Sequence, residues 1–439
     1  MAKTFASMKF YNYRLWFFTA LIANVGTWMQ RVAQDWLVLA VLTDDDGFAV
    51  GVTTALQFLP LLLVTPYAGV LADRLDKRKI MYVTQAASAI LGIAQGVLVL
   101  TGTATVWHIY VFALLLGFSS AFDAPPRQVF VSELVPKDNL PNAVGLNSLS
   151  FNIARLIGPA LSGVLIGIIG TGWVFIINGV SFVVTIIGLA LMRKGEFYPA
   201  EHAPRHVKGQ IRQAISYVKH RDDIIMIFIL AGTVACLGMN FQLTTATMAR
   251  EVFNKDAGEY GILGSVLAIG SLFGALLAAR RTRPRVRLVV ASTFAFAIVA
   301  GLNAVMPTYW TYAFSLIPVG FVMLTLLTAA NATIQMSTAP EMRGRVMALY
   351  QMIVMGSTPV GSTLVGWISE NIDPRWAIGV GPISAFIVGV CVLIWARRNW
   401  HVEVHFGRRL PHGFEIVGPA ELLERDRVAQ DRVPGDQAK

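Results

Sequence analysis

Four residues recur at helical spacing inside an otherwise apolar stretch near the start of the sequence. They are Asn24, Trp28, Arg31 and Asp35, which fall within an arc of about 60° at 100° per residue. A charge near the bilayer centre costs roughly 2.5–3.5 kcal/mol on insertion scales, so such residues usually face a bundle interior or a water-filled cavity. The pattern predicts a stripe that lines a transport path, with Arg31 and Asp35 close enough to pair. The alternative is an ion pair that only fixes helix packing.

A second acid lies deep in a later apolar stretch. Asp123, in "AFDAPPRQ", precedes Arg127 by four residues. Arginine keeps its proton in proteins, so Asp35 and Asp123 are the predicted carriers if a proton drives transport. We expect the proline pair at 125–126 to kink this helix and to break the pairing of Asp123 with Arg127. Asp35 would then serve coupling on the substrate side, and Asp123 would carry the proton.

Further polar positions in apolar stretches complete a predicted substrate site. Arg155 shares a helix face with Asn147 and Phe151, and packing against helix-end carbonyls is its alternative role. In the second half of the sequence the candidate polar residues are uncharged. Each one is also compatible with an interhelical hydrogen bond. The predicted substrate-binding residues are Asn24, Trp28, Arg31, Asp35, Arg155, Asn240, Asn331 and Gln335.

The composition places these residues in a membrane. Of 439 residues, 55% are hydrophobic and 14% are charged, against about 25% charged in a soluble domain. Apolar stretches of roughly 20 residues recur, each long enough to cross a bilayer of about 30 Å. We therefore predict an all-α integral membrane protein with twelve transmembrane helices. The predicted spans are 14–42, 50–72, 80–101, 107–134, 143–168, 172–193, 223–249, 259–280, 286–305, 309–338, 344–369 and 375–396.

Charge in the loops predicts the orientation of these spans. The formal net charge is +10, and the basic residues collect in alternate loops, from 73–79 to the region after residue 397. Because such loops stay cytoplasmic, both termini are predicted to be cytoplasmic. Nucleic-acid binding would need a basic patch on a soluble surface, which the sequence does not offer. An enzyme is disfavoured too, because the predicted spans hold no catalytic motif and their one histidine, His108, is the second residue of its span.

The sequence also repeats itself with an offset of 203 residues. The matched pairs are Gly117 with Gly320, Gly158 with Gly361, Gly163 with Gly366, and Trp173 with Trp376. This predicts two pseudo-symmetric six-helix bundles in one orientation, with substrate near the midplane between them. The predicted division is a bundle over 1–195, a linker over 196–222, a bundle over 223–398 and a cytoplasmic tail over 399–439. Part of the linker, near 211–218, is expected to lie on the membrane surface.

The stretch "GVLADRLDKRK" (69–79) resembles the loop signature of the major facilitator superfamily, with Asp76 in place of its second glycine. The resemblance implies a conformational latch, in which Asp73 docks at the N-terminus of the helix that starts near "RGRVM". A loop that serves only as a positive-inside anchor is the alternative. The predicted latch residues are Gly69, Asp73, Arg74, Arg78 and Arg345.

The stretch "GLNSLSFNIARLIGPALSG" (145–163) resembles the fifth-helix motif of antiporters in that superfamily. Gly145, Gly158, Pro159 and Gly163 match it, whereas Ala154 and Ser162 stand where glycines are usual. The resemblance implies close helix packing and favours antiport over symport. Ordinary packing of a glycine-rich helix is the alternative.

Three further stretches are "FLPLLLVTPYAGVLADR" (58–74), "LVPKDNLPNAVGLNS" (134–148) and "APEMRGRVMALYQ" (339–351). They are similar to one branch of the superfamily. This is the macrolide-efflux and enterobactin-exporter-like branch, also called transmembrane secretion effectors. The resemblance implies the major facilitator fold and a monomer surrounded by membrane lipid in the bacterial inner membrane. It also implies proton-driven export of amphipathic small molecules such as drugs or siderophores, without metal or cofactor other than the coupling protons. A lysophospholipid flippase of the same fold is the alternative, and passive uniport or import stays open.

Overall fold

The computed structural model describes residues 5–198, 210–279, 286–400, 403–406 and 414–417. Six long helices make up the first half of the chain. A short 3-10 turn, Ala6–Lys9, precedes them, and a π-helical turn, Val38–Leu42, ends the first one. The six helices are α1 (Tyr11–Leu37), α2 (Gly47–Arg74), α3 (Lys77–Leu100), α4 (Val106–Phe130), α5 (Leu140–Ile169) and α6 (Thr171–Leu191).

The second half begins after a short linker helix, α7 (Gln210–Val218). Its first span is broken into α8 (Asp222–Thr233) and α9 (Phe241–Thr247), and a later span is broken into α13 (Pro340–Gly356) and α14 (Thr358–Asn371). The unbroken helices are α10 (Ala257–Ala279), α11 (Val286–Ala304), α12 (Tyr309–Ser337) and α15 (Pro374–Trp400). Two short antiparallel strands follow, β1 (Glu403–Phe406) and β2 (Phe414–Val417), which the sequence did not predict.

Side-chain capping explains where two of the helices begin. The Asp46 side chain accepts a hydrogen bond from the backbone N–H of Ala49 and starts α2. Asp76 accepts from the N–H groups of Arg78 and Lys79 and starts α3. Asp76 stands where the superfamily signature usually has its second glycine, so this departure provides an N-cap.

The number of spans agrees with the prediction. Within the described residues, eleven segments are long and apolar enough to cross a membrane. The first helix, α1, has 27 residues, and it is the helix that carries the polar stripe. It packs against α5 and α6 inside the first half. Counted together with α1, which is not among those eleven, the described part of the chain holds twelve segments of membrane-spanning length.

The repeat predicted from the sequence reappears as equivalent glycine contacts. Gly158 of α5 packs on the Val25 carbonyl of α1, and its counterpart Gly361 packs on the Cys236 carbonyl after α8. Gly163 of α5 touches the start of α10, just as Gly366 of α14 touches the start of α2. Because glycine lets backbones approach closely, these positions allow close helix contacts in both halves. The two halves therefore share one architecture.

A second repeated feature was missed in the sequence. Trp107 and Trp310, also 203 residues apart, begin α4 and α12, and their side chains are 73% and 60% exposed. Trp173 and Trp376, near the starts of α6 and α15, are exposed as well. Exposed tryptophans at helix ends are typical of the membrane–water interface. These four residues place one interface at this end of the molecule.

The two halves meet through α5 with α10 and through α2 with α14. They share a buried apolar core at the end that holds the α1–α2 loop, where residues such as Leu37 and Val50 join the second half. At the opposite end, Tyr13, Trp16 and Phe130 belong to a core of the first half alone. We call these the closed end and the open end.

Candidate transport site

The polar stripe of α1 faces the protein interior. Trp28 and Arg31 contact side chains of α2 and α5, and Asp35 contacts α10. Asn24 is partly buried one turn nearer the open end. The predicted orientation of the stripe therefore agrees with the structure. The stripe lies between α2 and α5, which are the helices that meet the second half.

Two arginines and three aromatic rings form one cluster on α1, α2 and α5. The Arg31 guanidinium carbon lies 5.0 Å from the ring centre of Trp28 and 5.3 Å from that of Phe58. The Arg155 guanidinium carbon lies 5.7 Å from the Trp28 ring, and the Phe151 ring packs edge-on against Trp28 at 5.9 Å. Cation–π attraction reaches about 6 Å, so both guanidinium groups engage the rings. We call these five residues the arginine–aromatic cluster.

The arginines of this cluster have no carboxylate partner among the described residues. The Arg31 Nε is fully buried and forms no hydrogen bond within the described part of the chain. The pairing of Arg31 with Asp35 predicted from their spacing is not formed, since no described ion pair of 4.0 Å or less includes either residue. The physical reason is that Asp35 points to another helix.

Asp35 joins the two halves at the closed end. Its side chain is buried, with 4% of the residue exposed, and its Oδ2 accepts a hydrogen bond of 3.2 Å from the Tyr260 hydroxyl of α10. The neighbouring Trp36 stacks on the Tyr260 ring at 6.1 Å. A carboxyl group of the first half is thus held by a hydroxyl of the second half. Any separation of the halves at this end must break that contact.

Other polar contacts reinforce the closed end. Arg250, after α9, pairs with Asp45 at 2.8 Å, and the Gly47 backbone N–H donates to Glu370 Oε2 at 3.1 Å. The backbone of Asp45 is left-handed, with φ of 72°, a conformation that non-glycine residues seldom adopt. The α1–α2 turn is therefore held in a strained form against the second half.

Asp123 is placed quite differently from Asp35. Its Oδ2 accepts a hydrogen bond of 2.8 Å from Arg127, and its Oδ1 accepts from Thr84 at 2.7 Å and from Gln85 at 2.9 Å. All three donors lie on α3 and α4 of the first half. The prediction that the proline pair breaks the pairing with Arg127 is wrong, because the pair forms inside a continuous α4.

The second-half polar residues form local contacts. Asn240 donates from its side chain to the Cys236 carbonyl at 2.8 Å and lies in the break between α8 and α9. Asn331 and Gln335 share a face of α12, as predicted, and they hydrogen-bond to each other. Gln335 is exposed toward the open end. Their part in substrate binding stays a prediction.

The latch prediction falls mostly outside what the structure describes. Gly69 and the side chains of Asp73 and Arg74, at the end of α2, lie outside the described residues. Arg78 donates to the Leu189 carbonyl at 2.6 Å near the end of α6, where a cation suits the helix dipole. Arg345 of α13 donates to Gln213 of the linker helix at 2.6 Å. Docking of the Asp73 carboxylate stays a prediction.

The residues of the predicted antiporter motif pack along α5. Gly158 fits against Trp28, the Pro159 carbonyl faces Gly261 of α10, and Gly163 meets the α10 backbone. Gly145 is different, because a side chain added there would meet nothing within 4 Å. The motif thus brings α5 close to the second half at Pro159 and Gly163, but not at Gly145.

The linker helix α7 lies where the sequence placed an amphipathic segment. It packs on α13, with Ala214 and Val218 buried, so its apolar face meets protein. At its end, hydrogen bonding to the Asp223 carboxylate raises the pKa of Arg221 above its ordinary value. Arg221 therefore keeps its charge where the second half begins.

A cavity of about 550 Å³ lies at the open end, away from the cluster, between the start of α1 and the residues after α6. Lys9, Arg14 and Arg193 are among its lining residues. No group of three or more His, Cys, Asp or Glu residues suited to a metal ion occurs within the described residues.

Comparison with known proteins then decides the family. Residues 2–410 match the family described as transmembrane secretion effector, which covers most of the chain. This chain belongs to that family. The predicted resemblance is confirmed, and the relatives of this secretion effector are membrane transporters.

Two relatives and one solved structure illustrate the match. The secretion effector is 26% identical to a staphyloferrin A transporter of Staphylococcus aureus (strain NCTC 8325 / PS 47), over 80% of this chain and 88% of that protein. It is 21% identical to macrolide efflux protein A of Streptococcus pyogenes, over 88% of this chain and 97% of the relative. The crystal structure of a bacterial homologue of the human lysosomal transporter Spinster covers 88% of this chain and 95% of its own, with a TM-score of 0.66 at 16% identity, which supports the major facilitator fold.

These findings establish the broad class. This secretion effector is a major facilitator efflux transporter and not an enzyme, and it is a multi-pass protein of the bacterial inner membrane.

Two residues of the site were missed in the sequence. Tyr260 and Phe58 carry no charge, and each lies in an apolar span without a distinctive motif. Their roles depend on which helix lies opposite α1. Only long-range contacts identify them.

Proposed function

We propose that this protein is a proton-coupled antiporter that exports amphipathic small molecules by alternating access. The contact that carries the proposal is the hydrogen bond between Asp35 and Tyr260 across the closed end. It joins a buried ionisable group to the contact that must break when the halves separate. The relatives' names, a staphyloferrin A transporter and a macrolide efflux protein, support export of such molecules.

The loop charges indicate which side of the membrane each end of the molecule faces. The open end holds the N-terminus and the basic α2–α3 loop, so the positive-inside rule assigns it to the cytoplasm. The described conformation is then inward-facing. Asp45, Arg250 and Glu370 would lie on the outer face.

The coupling step uses the cost of burying charge. When Asp35 has bound a proton from the outer side, burial of its neutral carboxyl group costs little free energy. The closed end can then form. After the proton leaves toward the cytoplasm, a buried charge with one hydroxyl partner favours opening of that end. Substrate held on the cluster one turn away then moves outward.

The contacts favour Asp35 over Asp123 as the carrier. Asp123 has three donors, all within the first half, so its environment need not change when the halves rock. Asp35 has one described donor, and that donor belongs to the other half. Asp123 remains the second candidate, with a role in holding α3 to α4.

The test uses everted membrane vesicles with an acidic lumen, which stands for the outer side. A panel containing staphyloferrin A and a macrolide is added outside, and uptake into the lumen is measured. We expect at least one compound to accumulate only while the pH gradient lasts. Accumulation of every transported compound that is unchanged by collapse of the gradient would overturn proton coupling.

A further inference from the structure

We propose that the arginine–aromatic cluster binds the anionic group of the transported molecule, so that the substrate class is amphipathic anions. The inference rests on the proposed export function and adds the charge of the substrate.

The first observation is the missing partner. Arg31 has a buried Nε without a hydrogen bond in the described part of the chain, and neither Arg31 nor Arg155 has a described carboxylate within 4.0 Å. A buried donor left unpaired lowers stability, so native proteins usually satisfy it. A ligand that arrives with acceptor oxygens would supply what the protein lacks.

A comparison with Arg127 strengthens this point. Arg127 also lies in a span and also contacts a ring, Trp16, at 5.2 Å. Its Nε, however, pairs with Asp123 at 2.8 Å. The fold therefore neutralises a structural arginine with its own acid. The two arginines of the cluster have no such ion pair among the described residues.

The second observation is the arrangement of the two guanidinium groups around one aromatic ring. Two guanidinium groups approach the same Trp28 ring, at 5.0 and 5.7 Å, and rings of Phe58 and Phe151 complete the wall. Guanidinium groups bind carboxylate or phosphate through paired N–H donors. The rings offer apolar surface beside them. Such a wall suits a molecule with an acidic group attached to an aromatic or aliphatic body.

The third observation is location. The cluster lies between α2 and α5, where the first half meets the second, and its members are partly exposed although they lie within spans. An arginine that faced lipid would be costly. That cost favours an orientation of the cluster toward the second half.

The chemistry has two possible sources. The anionic group is a carboxylate of a water-soluble molecule or the phosphate of a lysophospholipid that enters from the bilayer. Both would use the same donors on Arg31 and Arg155. The experiment below separates them.

The test measures binding by the full-length purified protein in lipid nanodiscs, without a pH gradient. The probes are fluorescein, which is an anion, and tetramethylrhodamine methyl ester, which is a cation on the same xanthene frame. The variants are Arg31→Gln, Arg155→Gln and Arg31→Lys, with Arg14→Gln as the control. Arg14 is an exposed arginine at the open end of the same helix.

We expect fluorescein to bind, and each Arg→Gln change to weaken its binding by about tenfold or more, since a hydrogen bond to a charged group is lost. Arg31→Lys should keep part of the affinity, and Arg14→Gln all of it. The rhodamine ester should bind more weakly than fluorescein to the wild type. Tighter rhodamine binding, or fluorescein binding that is insensitive to both Arg→Gln changes, would overturn the inference.

Two further arms complete the design. Lysophosphatidylglycerol in the nanodisc and citrate in the buffer compete separately with fluorescein. Arginine-dependent displacement by the lipid or by citrate supports the inference and names the source, whereas displacement by neither overturns it. If binding behaves as expected but no probe moves under a pH gradient, the export proposal fails while the anion site stands.

Discussion

The two halves of this transporter share their packing and differ in their chemistry. Equivalent glycines such as Gly163 and Gly366 make equivalent contacts across the interface. The charged positions are not repeated. Arg31 and Asp35 correspond, at the 203-residue offset, to Val234 and Gly238. The second half has kept the scaffold without those charges.

The same contrast holds elsewhere in the first half. Asp123 and Arg127 correspond to Leu326 and Ala330, which are fully buried in the second half. Because an apolar core avoids the cost of burying charge, the second half suits the role of a rigid wall. It supplies hydroxyl contacts such as that of Tyr260. Symmetry thus sets the packing of the two halves, and the first half provides the charged residues Arg31, Asp35, Asp123 and Arg127.

The largest expected effect is at Asp35. Asp35→Asn keeps a partner for Tyr260 but cannot carry a proton, so gradient-driven export should fall to background. Exchange of labelled for unlabelled substrate should continue, because exchange needs no proton. Both activities are measured in proteoliposomes.

The matched control is Asp123→Asn, normalised to folded protein. It breaks a partly buried ion pair, so lower thermal stability is expected, with driven export still present. Equal loss of driven export in both variants, with both folded, would remove the distinction between the two acids.

The next effect tests whether packing is symmetric. Gly163→Leu and Gly366→Leu should both force the closed end apart, since overpacking costs about 1–3 kcal/mol. Spin labels across the closed end should report longer distances, to a similar degree in both variants. Gly145→Leu is the control, because its side chain enters open space. A response to only one of the two interface changes would show that the halves do not contribute equally to closure.

A smaller effect is expected at Tyr260. Tyr260→Phe removes the donor to Asp35 and keeps the ring that stacks on Trp36. Loss of a hydrogen bond to a charged group is worth about 1.5–3 kcal/mol, so driven export should fall by roughly tenfold or more. Tyr309→Phe, which loses only a bond to the Glu259 carbonyl, should cost less. Transport rates at matched protein levels decide between them, and equal losses would argue against a special role for Tyr260.

The smallest effect is expected at the exposed ion pair between Asp45 and Arg250, which we call the rim pair of the closed end. Asp45→Asn breaks the pair with Arg250, whose two side chains are 37% and 38% exposed. Exposed ion pairs contribute about 0–1 kcal/mol, so export should stay within roughly fivefold of wild type. A complete loss of transport would mean that the rim pair, and not Asp35, holds the closed end.

Much of this architecture could be predicted from the sequence. Apolar stretches gave the spans, and the repeat of Gly158 with Gly361 indicated two related halves. The helical spacing of Trp28 and Arg31 correctly placed them inside. These features depend on local periodicity, which a sequence displays directly.

The remaining features depend on which helices lie opposite one another. Spacing suggested that Asp35 pairs with Arg31, but the structure pairs it with Tyr260, 225 residues away. The proline pair suggested a broken contact, but Asp123 keeps Arg127. In both cases tertiary packing decided between partners that local spacing allows.

We propose that Asp35 carries the exchanged proton. This role is tested most directly by measuring proton movement and substrate movement together in proteoliposomes, with a pH-sensitive dye inside. We predict that adding a transported substrate releases protons in the wild type and in Asp123→Asn, but not in Asp35→Asn. Substrate-triggered proton movement of wild-type size in folded Asp35→Asn would contradict the claim.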